Sequence, residues 1–514
     1  MAEVQIAPSL TRDERGQGGH LPNNPQQPRW PRAASEYASV RRRRFMEDAD
    51  LGLELYEAAR AGNEETVFWL LRDGADVRTP GQLGSQAICA AARNGEFAVI
   101  RLLIAAGADV NATTELSRSD NAQDGWTPLN LASSGGYKAV VDMLIAAGAN
   151  LNQCTDAADA PLHSASVEGR TPVVEALIAA GADVNQLNNI SSTPLIRASE
   201  KGHLATVNAL LASGADVNHT NEDNWTALYA AIENDHLKVV QALIDAGSDV
   251  NRCGQERWTP LHAATASGYL SIVHALIVAG ATVDKTTVVF PLSDPTAESH
   301  ADGWTALDVA SDGCEVDVVQ MLIDGGADVN RSDPHGWTPL NSAANKGQLA
   351  VAQVLIAAGA DVNQASTAGW TPVYSASKGG HKLIVQALID AGADVNLQAN
   401  DGWAPIHVAA NVGHLTVVHA LIAAGADIHR ATDSGWTPLN FASREGRASV
   451  VEALVVAGAD VNQSNSRQKR QMLLQDGDTP LHNASTSGQE AVVRVLIAAG
   501  ANYADAVTHR HVLA

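Results

Sequence analysis

The feature that most constrains this chain is its own repetition. Residues in the place of Thr338 return at Leu53, Gln86, Thr127, Ala160, Thr193, Thr226, Thr259, Thr305, Thr371, Ala404, Thr437 and Thr479, which makes thirteen copies. The steps are 33 residues, apart from three of 41, 46 and 42 that correspond to insertions of 8, 13 and 9. The stretch GWTPLNSAANKGQLAVAQVLIAAGADVN, Gly336 to Asn363, shows what one unit encodes. Thr338 is placed to cap a helix and Pro339 to occupy its first position, where a missing N–H costs nothing. Leu340, Ala343 and Ala344 then form one apolar stripe, and Gly347 supplies a left-handed stop. A second helix is expected from about Leu349, with Val351, Val354, Leu355 and Ala358 on one face, ending at Gly359. Neither helix reaches the roughly 12–15 residues that give even marginal stability alone, so each must bury its stripe against neighbouring copies. A fixed period with two short helices per unit predicts an all-α solenoid rather than a string of globules.

Length alone would suggest three or four domains for 514 residues; repetition overrules that. Continuous repeats from Asp50 divide the chain into an N-terminal segment 1–48, a solenoid 49–504 and a short tail 505–514. The three insertions, near 112–124, 285–302 and 463–477, fall between the exit of one unit and the helix start of the next. They therefore lengthen loops without breaking helices.

Lys and Arg total 34 against 57 Asp and Glu, a net charge of −23, which argues against nucleic acid as a partner of the body. Cys89, Cys154, Cys253 and Cys314 have neither metal-ligand nor disulfide-framework spacing. No apolar run is long enough to insert in a membrane, and the start of the chain lacks the apolar core of a signal peptide. The expectation is a cytoplasmic protein, with the nucleus as the alternative; secretion by a bacterial effector system need not leave such a signal. No phosphate loop, HExxH helix, nucleophile elbow or CxxC pair is present, so neither a cofactor nor a metal nor catalysis is expected.

The segments WTPLHAATASGYLSIVHALIVAG (Trp258 to Gly280) and the recurring LIAAGADVN resemble ankyrin repeats, and the likeness covers roughly Asp50 to Tyr503. Even DLGLELYEAARAGNEETV (Asp50 to Val67) resembles the polar-faced first repeat of such arrays. The resemblance implies an ankyrin-repeat solenoid of about thirteen helix-turn-helix repeats with hairpin-like fingers, and a concave face that binds protein partners. It also implies that the helix-start histidines His163, His262, His407 and His482 tie each repeat to its neighbour. Elsewhere that position holds Asn130, Ile196, Tyr229, Asp308, Asn341, Tyr374 or Asn440, so the ties should be uneven. The helix-ending glycine is replaced by Asp235 and Cys314, and cysteine tolerates a left-handed backbone poorly, which marks repeat 8 as a weak seam. Asparagines closing each repeat, such as Asn185, Asn218 and Asn363, are explained as turn formers; the resemblance also makes them candidate sites of hydroxylation in a host that has the enzyme.

Eight of the ten tryptophans, Trp126, Trp225, Trp258, Trp304, Trp337, Trp370, Trp403 and Trp436, directly precede the phase position. The resemblance puts this position at the base of the finger on the concave side. Two readings stand: the rings contact a partner, or each lies on its neighbour and was copied with the repeat. Lys201, Lys346 and Arg444, beside the helix-ending glycines, join them as candidate contacts. Pro22, Pro25, Pro28 and Pro31 recur every third residue, with Arg29 and Arg32 beside them, as in ligands of SH3-type domains; a stiff polar linker is the alternative. Arg41 to Arg44 is either an import signal or solvated charge. That segment could dock one partner while the solenoid holds another, as in an adaptor, a regulatory subunit or a pathogen effector that targets an enzyme. The last repeat keeps an apolar second helix, so either the tail covers it or copies associate end to end.

Overall fold

The structure is a computed structural model, and it describes residues 48–79, 83–114, 125–254, 257–287, 303–465 and 478–502. The proline-rich segment Pro22–Arg32, Arg41–Arg44, most of each insertion and the tail 505–514 lie outside the described residues.

Among the described residues there are 26 helices, paired into thirteen repeats, and no strand. The first helix starts at Asp48 and the last ends at Ala498. In the reference repeat the inner helix is Pro339–Lys346 and the outer helix Leu349–Ala357. Thr338 has extended backbone (φ −99, ψ 163) and its Oγ accepts the Asn341 N–H at 3.2 Å, while Gly347 ends the helix at φ 79. Local chemistry therefore sets both ends of a helix too short to persist by itself.

Packing supplies the rest. Leu340, Ala343, Ala344, Val351, Ala352 and Leu355 have no solvent exposure. Ala358, expected on the buried face, is exposed, and Ala352 takes its place. The reason is that the outer helix ends one residue earlier, turning Ala358 outward as its C-cap. Inner helices pack on inner helices and outer on outer along the whole array, so one continuous core runs from Leu55 to Ala501. Each buried leucine contributes about 1.5–3 kcal/mol, shared between the paired helix of its own repeat and the helices of its neighbours.

The first repeat is less polar than its sequence suggests. Glu64 and Glu65 open its outer helix, yet Phe68 is 46% exposed. Its ring meets Trp69 edge-on at 5.5 Å, with the Arg72 guanidinium 5.1 Å from the Trp69 ring. Among the described residues no helix precedes this repeat to cover that side of it.

Candidate functional site

Between one outer helix and the next inner helix the chain makes a finger, built the same way in most repeats. In repeat 9 the Asp333 N–H donates to the Trp337 carbonyl (2.9 Å), the Trp337 N–H returns to Asp333 Oδ1 (2.8 Å), and the Gly336 N–H closes on the Asp333 carbonyl (2.9 Å). Ser366 with Trp370 and Thr432 with Trp436 repeat this lock, their hydroxyls replacing the carboxylate at 3.1 and 3.2 Å. Fingers then pair side by side: Thr367 N–H donates to the His335 carbonyl (2.8 Å), Asn400 to Ala368 (3.0 Å) and Asp433 to Asp401 (3.4 Å). Gly336 at the tip has φ 75, and a Cβ there would lie 2.8 Å from the Thr367 nitrogen, so glycine is required both for the turn and for the close approach.

This lock holds the tryptophans at fixed intervals. All eight rings are half-buried. Trp225 tilts against Tyr229 at 5.4 Å, and Trp258 and Trp403 against His262 and His407 at 6.1 and 6.4 Å. In repeats 9 to 12 the contacts join up. Trp337 meets Trp370 edge-on at 6.1 Å, Trp370 stacks on Tyr374 at 5.5 Å, and Phe441 lies 4.2 Å from Trp403 and 5.1 Å from Trp436. Tyr374, Ala399 and Val408 form a second small core there, apart from the main one, with Trp370 and Trp403 packed on it. Both readings of the stripe therefore meet in one arrangement, in which the rings pack on one another and each keeps part of its surface in solvent.

Cations from the inner-helix ends lie over two of these rings, Lys378 Nζ 4.4 Å from Trp370 and the Arg444 guanidinium 5.5 Å from Trp436. Lys346 instead pairs with Asp312 of the preceding repeat at 2.9 Å, and Lys201 with its neighbour Glu200 at 2.8 Å. Both are exposed pairs of small energetic weight. Lys378 and Phe441 escaped the sequence reading, and Tyr374 stood there only as an exception at the helix-start histidine position. The available signal was an aromatic residue four or five positions after a tryptophan, seen also at Tyr229.

The buried polar groups behind the strip serve the stack. His163, His262 and His407 direct Nε2–H to the carbonyls of Ser192, Trp304 and Arg430 in the next repeat, at 3.0, 3.1 and 2.9 Å. Burial drives His262 and His407 down to about 4, against the raising effect of these bonds, and lowers His163 as well, so the rings are neutral. Asp308 stands in the same place, and burial pushes its carboxyl up to about 7 although Thr305 donates to it. Burial likewise raises the Cys89 thiol to about 12 and, helped by Asp401, the Tyr374 phenol to about 12. Among the described residues no group of three His, Cys, Asp or Glu is placed to hold a metal ion. Nor is any described helix long and apolar enough to cross a membrane.

A family model described as ankyrin repeats, in sets of three copies, matches residues 55–155, 116–188, 147–221, 195–287, 286–366, 374–465 and 431–506. The chain belongs to the ankyrin-repeat family. Over 63 residues, 12% of this chain, it is 46% identical to the mitochondrial disaggregase of Homo sapiens, and equally to that of Bos taurus. The array matches only 9% of the length of each of these relatives. Among solved structures it is similar to the ankyrin repeat domain of human ASB11, at 26% identity and a TM-score of 0.39, covering 46% of this chain and 99% of that one. Ankyrin repeats are in general protein–protein interaction modules.

Proposed function

We propose that this chain is a non-catalytic scaffold that holds a protein partner on its concave face and fingers, with repeats 9 to 12 as the principal contact. The observation that carries this reading is the joined aromatic strip. Trp337, Trp370, Trp403 and Trp436 are fixed by finger hydrogen bonds and aromatic contacts, yet each keeps part of its surface in solvent. Large amphipathic rings that lose little conformational freedom are what binding hot spots are made of. Lys378 and Arg444, parked over two rings, add charge at the margin of the strip, while exposed Asp401 and Asp433 line the finger tips opposite. That mixture suits a folded protein surface or an extended peptide with its own charge pattern rather than a polyanion.

The test is capture of partners by the full chain compared with a variant carrying Trp337→Ala, Trp370→Ala and Trp403→Ala. Far-UV circular dichroism of both confirms that the stack persists. Loss of the captured proteins with the helical signal retained supports the reading; unchanged capture overturns it.

A further inference from the structure

We propose that the proline-rich segment of this same chain, Pro22 to Pro31, docks along the tryptophans of repeats 6 to 9 as an intramolecular ligand, one proline ring to each indole. This rests on the reading of the tryptophan stripe as a docking surface, and it assigns the part of the stripe nearer the N-terminus to the chain itself.

The row of indoles is continuous only from repeat 6 onward. The residue before the phase position is Asp159 in repeat 4 and Ser192 in repeat 5, after which Trp225, Trp258, Trp304 and Trp337 follow without a gap through repeat 9. All four rings are half-buried. Trp225 and Trp258 meet a ring of their own repeat, Tyr229 at 5.4 Å and His262 at 6.1 Å, rather than each other. Lys378 and Arg444 lie over Trp370 and Trp436, whereas among the described residues no lysine or arginine lies over the four rings of repeats 6 to 9. Those rings stand apart and uncovered by the array's own cations.

The two periods agree. Packed helices stand about 8–10 Å apart, so the array presents one indole about every 9 Å. A polyproline II strand advances about 3.1 Å per residue, so Pro22, Pro25, Pro28 and Pro31 fall on one edge about 9 Å apart. Aromatic-lined grooves take such strands because the conformation is formed in advance and little entropy is lost on docking.

Reach selects the repeats. Pro31 stands seventeen residues before Asp48, where the first helix starts, and a chain of that length spans at most about 60 Å. Five steps along the stack, about 45 Å, bring it to repeat 6; the eight steps to repeat 9, about 70 Å, are out of its range. Pro31 therefore falls at Trp225, and Pro28, Pro25 and Pro22 fall at Trp258, Trp304 and Trp337. Charge favours the same placement. Residues 1–47 hold eight arginines against five Asp and Glu in a chain of net charge −23, and Arg29 and Arg32 arrive beside repeat 6, where Glu222 and Glu233 are exposed. Trp370, Trp403 and Trp436 lie beyond the last proline and stay open to a partner.

The experiment is oxidative footprinting by mass spectrometry on the full chain and on two variants. One carries Pro22→Ala, Pro25→Ala, Pro28→Ala and Pro31→Ala. The other lacks residues 33–40, which keeps the prolines but shortens the tether to about 30 Å, enough for Pro31 to reach repeat 4 and Pro22 only repeat 7. A flexible tether supplies an effective concentration of about a millimolar, so the proline variant should make Trp225, Trp258, Trp304 and Trp337 at least about threefold more reactive. The shortened chain should expose Trp304 and Trp337 alone. Trp403 and Trp436 should not change in either variant, which also reports that the stack persists. Four tryptophans as reactive in the parent as in the proline variant overturn the proposal, and so does a shortened chain that still protects Trp304 and Trp337. Protection that grows with protein concentration overturns it as well, because it places the segment on a second copy. Partner capture through Trp370, Trp403 and Trp436 is read separately, so this proposal and the scaffold reading fail independently.

Discussion

Asp308 accepts both the backbone N–H and the side-chain hydroxyl of Thr305 on one carboxylate oxygen, each at 2.8 Å, in the place where His262 and His407 stand in repeats 7 and 11. A histidine there donates onward to the next repeat, whereas a buried carboxylate must either hold a proton or carry a charge with little solvent. Its pKa is raised from 3.8 to about 7, chiefly by burial. The native state thus binds the extra proton, and the stability this provides is complete below pH 4 and lost as the pH rises through 7. Asp308→Asn should raise the melting temperature at pH 8, by the equivalent of on the order of 4 kcal/mol, and give only a small gain at pH 4. Thermal melts of both proteins at the two pH values check it.

The histidines act in the opposite sense. His262 and His407 are depressed from 6.5 to about 4 by burial, so their contribution is present above pH 6.5 and lost as the pH falls through 4. Each linkage is worth about 3 kcal/mol at full extent. Replacing His262 with Asn, the residue used at 130 and 341, should flatten the decline in stability between pH 6.5 and 4. Equilibrium unfolding followed against pH in that interval measures the change.

Cys314 and Asp235 both hold left-handed backbone, at φ 66 and φ 56. Cysteine has no side chain able to offset that conformation locally, while aspartate is among the residues that tolerate it. Cys314→Gly should stabilise by about 1 kcal/mol and Asp235→Gly by less, after the entropy glycine adds to the unfolded chain. Urea titration of the two variants side by side decides the order.

Between repeats 11 and 12 the asparagine ladder is interrupted. Asn396 accepts the Asp427 N–H at 2.8 Å, but the next rung is His429, and among the described residues the Asp460 N–H has no such partner. His429→Asn restores the rung and should add about 1 kcal/mol, read as a higher denaturation midpoint.

Ser377 is fully buried on an inner helix and its hydroxyl has no partner among the described residues, while Ala344 and Ala410 occupy the same repeat position, also fully buried. Ser377→Ala removes an unsatisfied hydroxyl without leaving a cavity large enough to matter, so it should stabilise by about 1 kcal/mol; a calorimetric scan tests this.

How much of this could be read beforehand follows the range of the interactions. Thr338, Pro339 and Gly347 act within one helix, so the cap, the first position and the stop were legible. The outer helix was placed to within a residue, and Ala358 was misassigned because a helix C-terminus depends on where the turn to the next finger begins. The tryptophan stripe was visible as a recurrence, but recurrence does not say whether Trp370 meets Trp337, Tyr374 or a partner. Lys378 was passed over in favour of Lys201 and Lys346, which the structure finds paired with Glu200 and Asp312. Asp308 was noticed as an exception at the histidine position; that it is buried and raised to about 7 depends on neighbours such as Asp333, far along the chain.

The account stands on the solvent-exposed parts of the finger tryptophans being the surface that a partner covers. Oxidative footprinting by mass spectrometry, on the full chain with and without its captured partner, reads that surface residue by residue. Protection of Trp337, Trp370, Trp403 and Trp436, with outer-helix Met321 unchanged, is the predicted result. Tryptophans that remain fully reactive while the outer face becomes protected would contradict it.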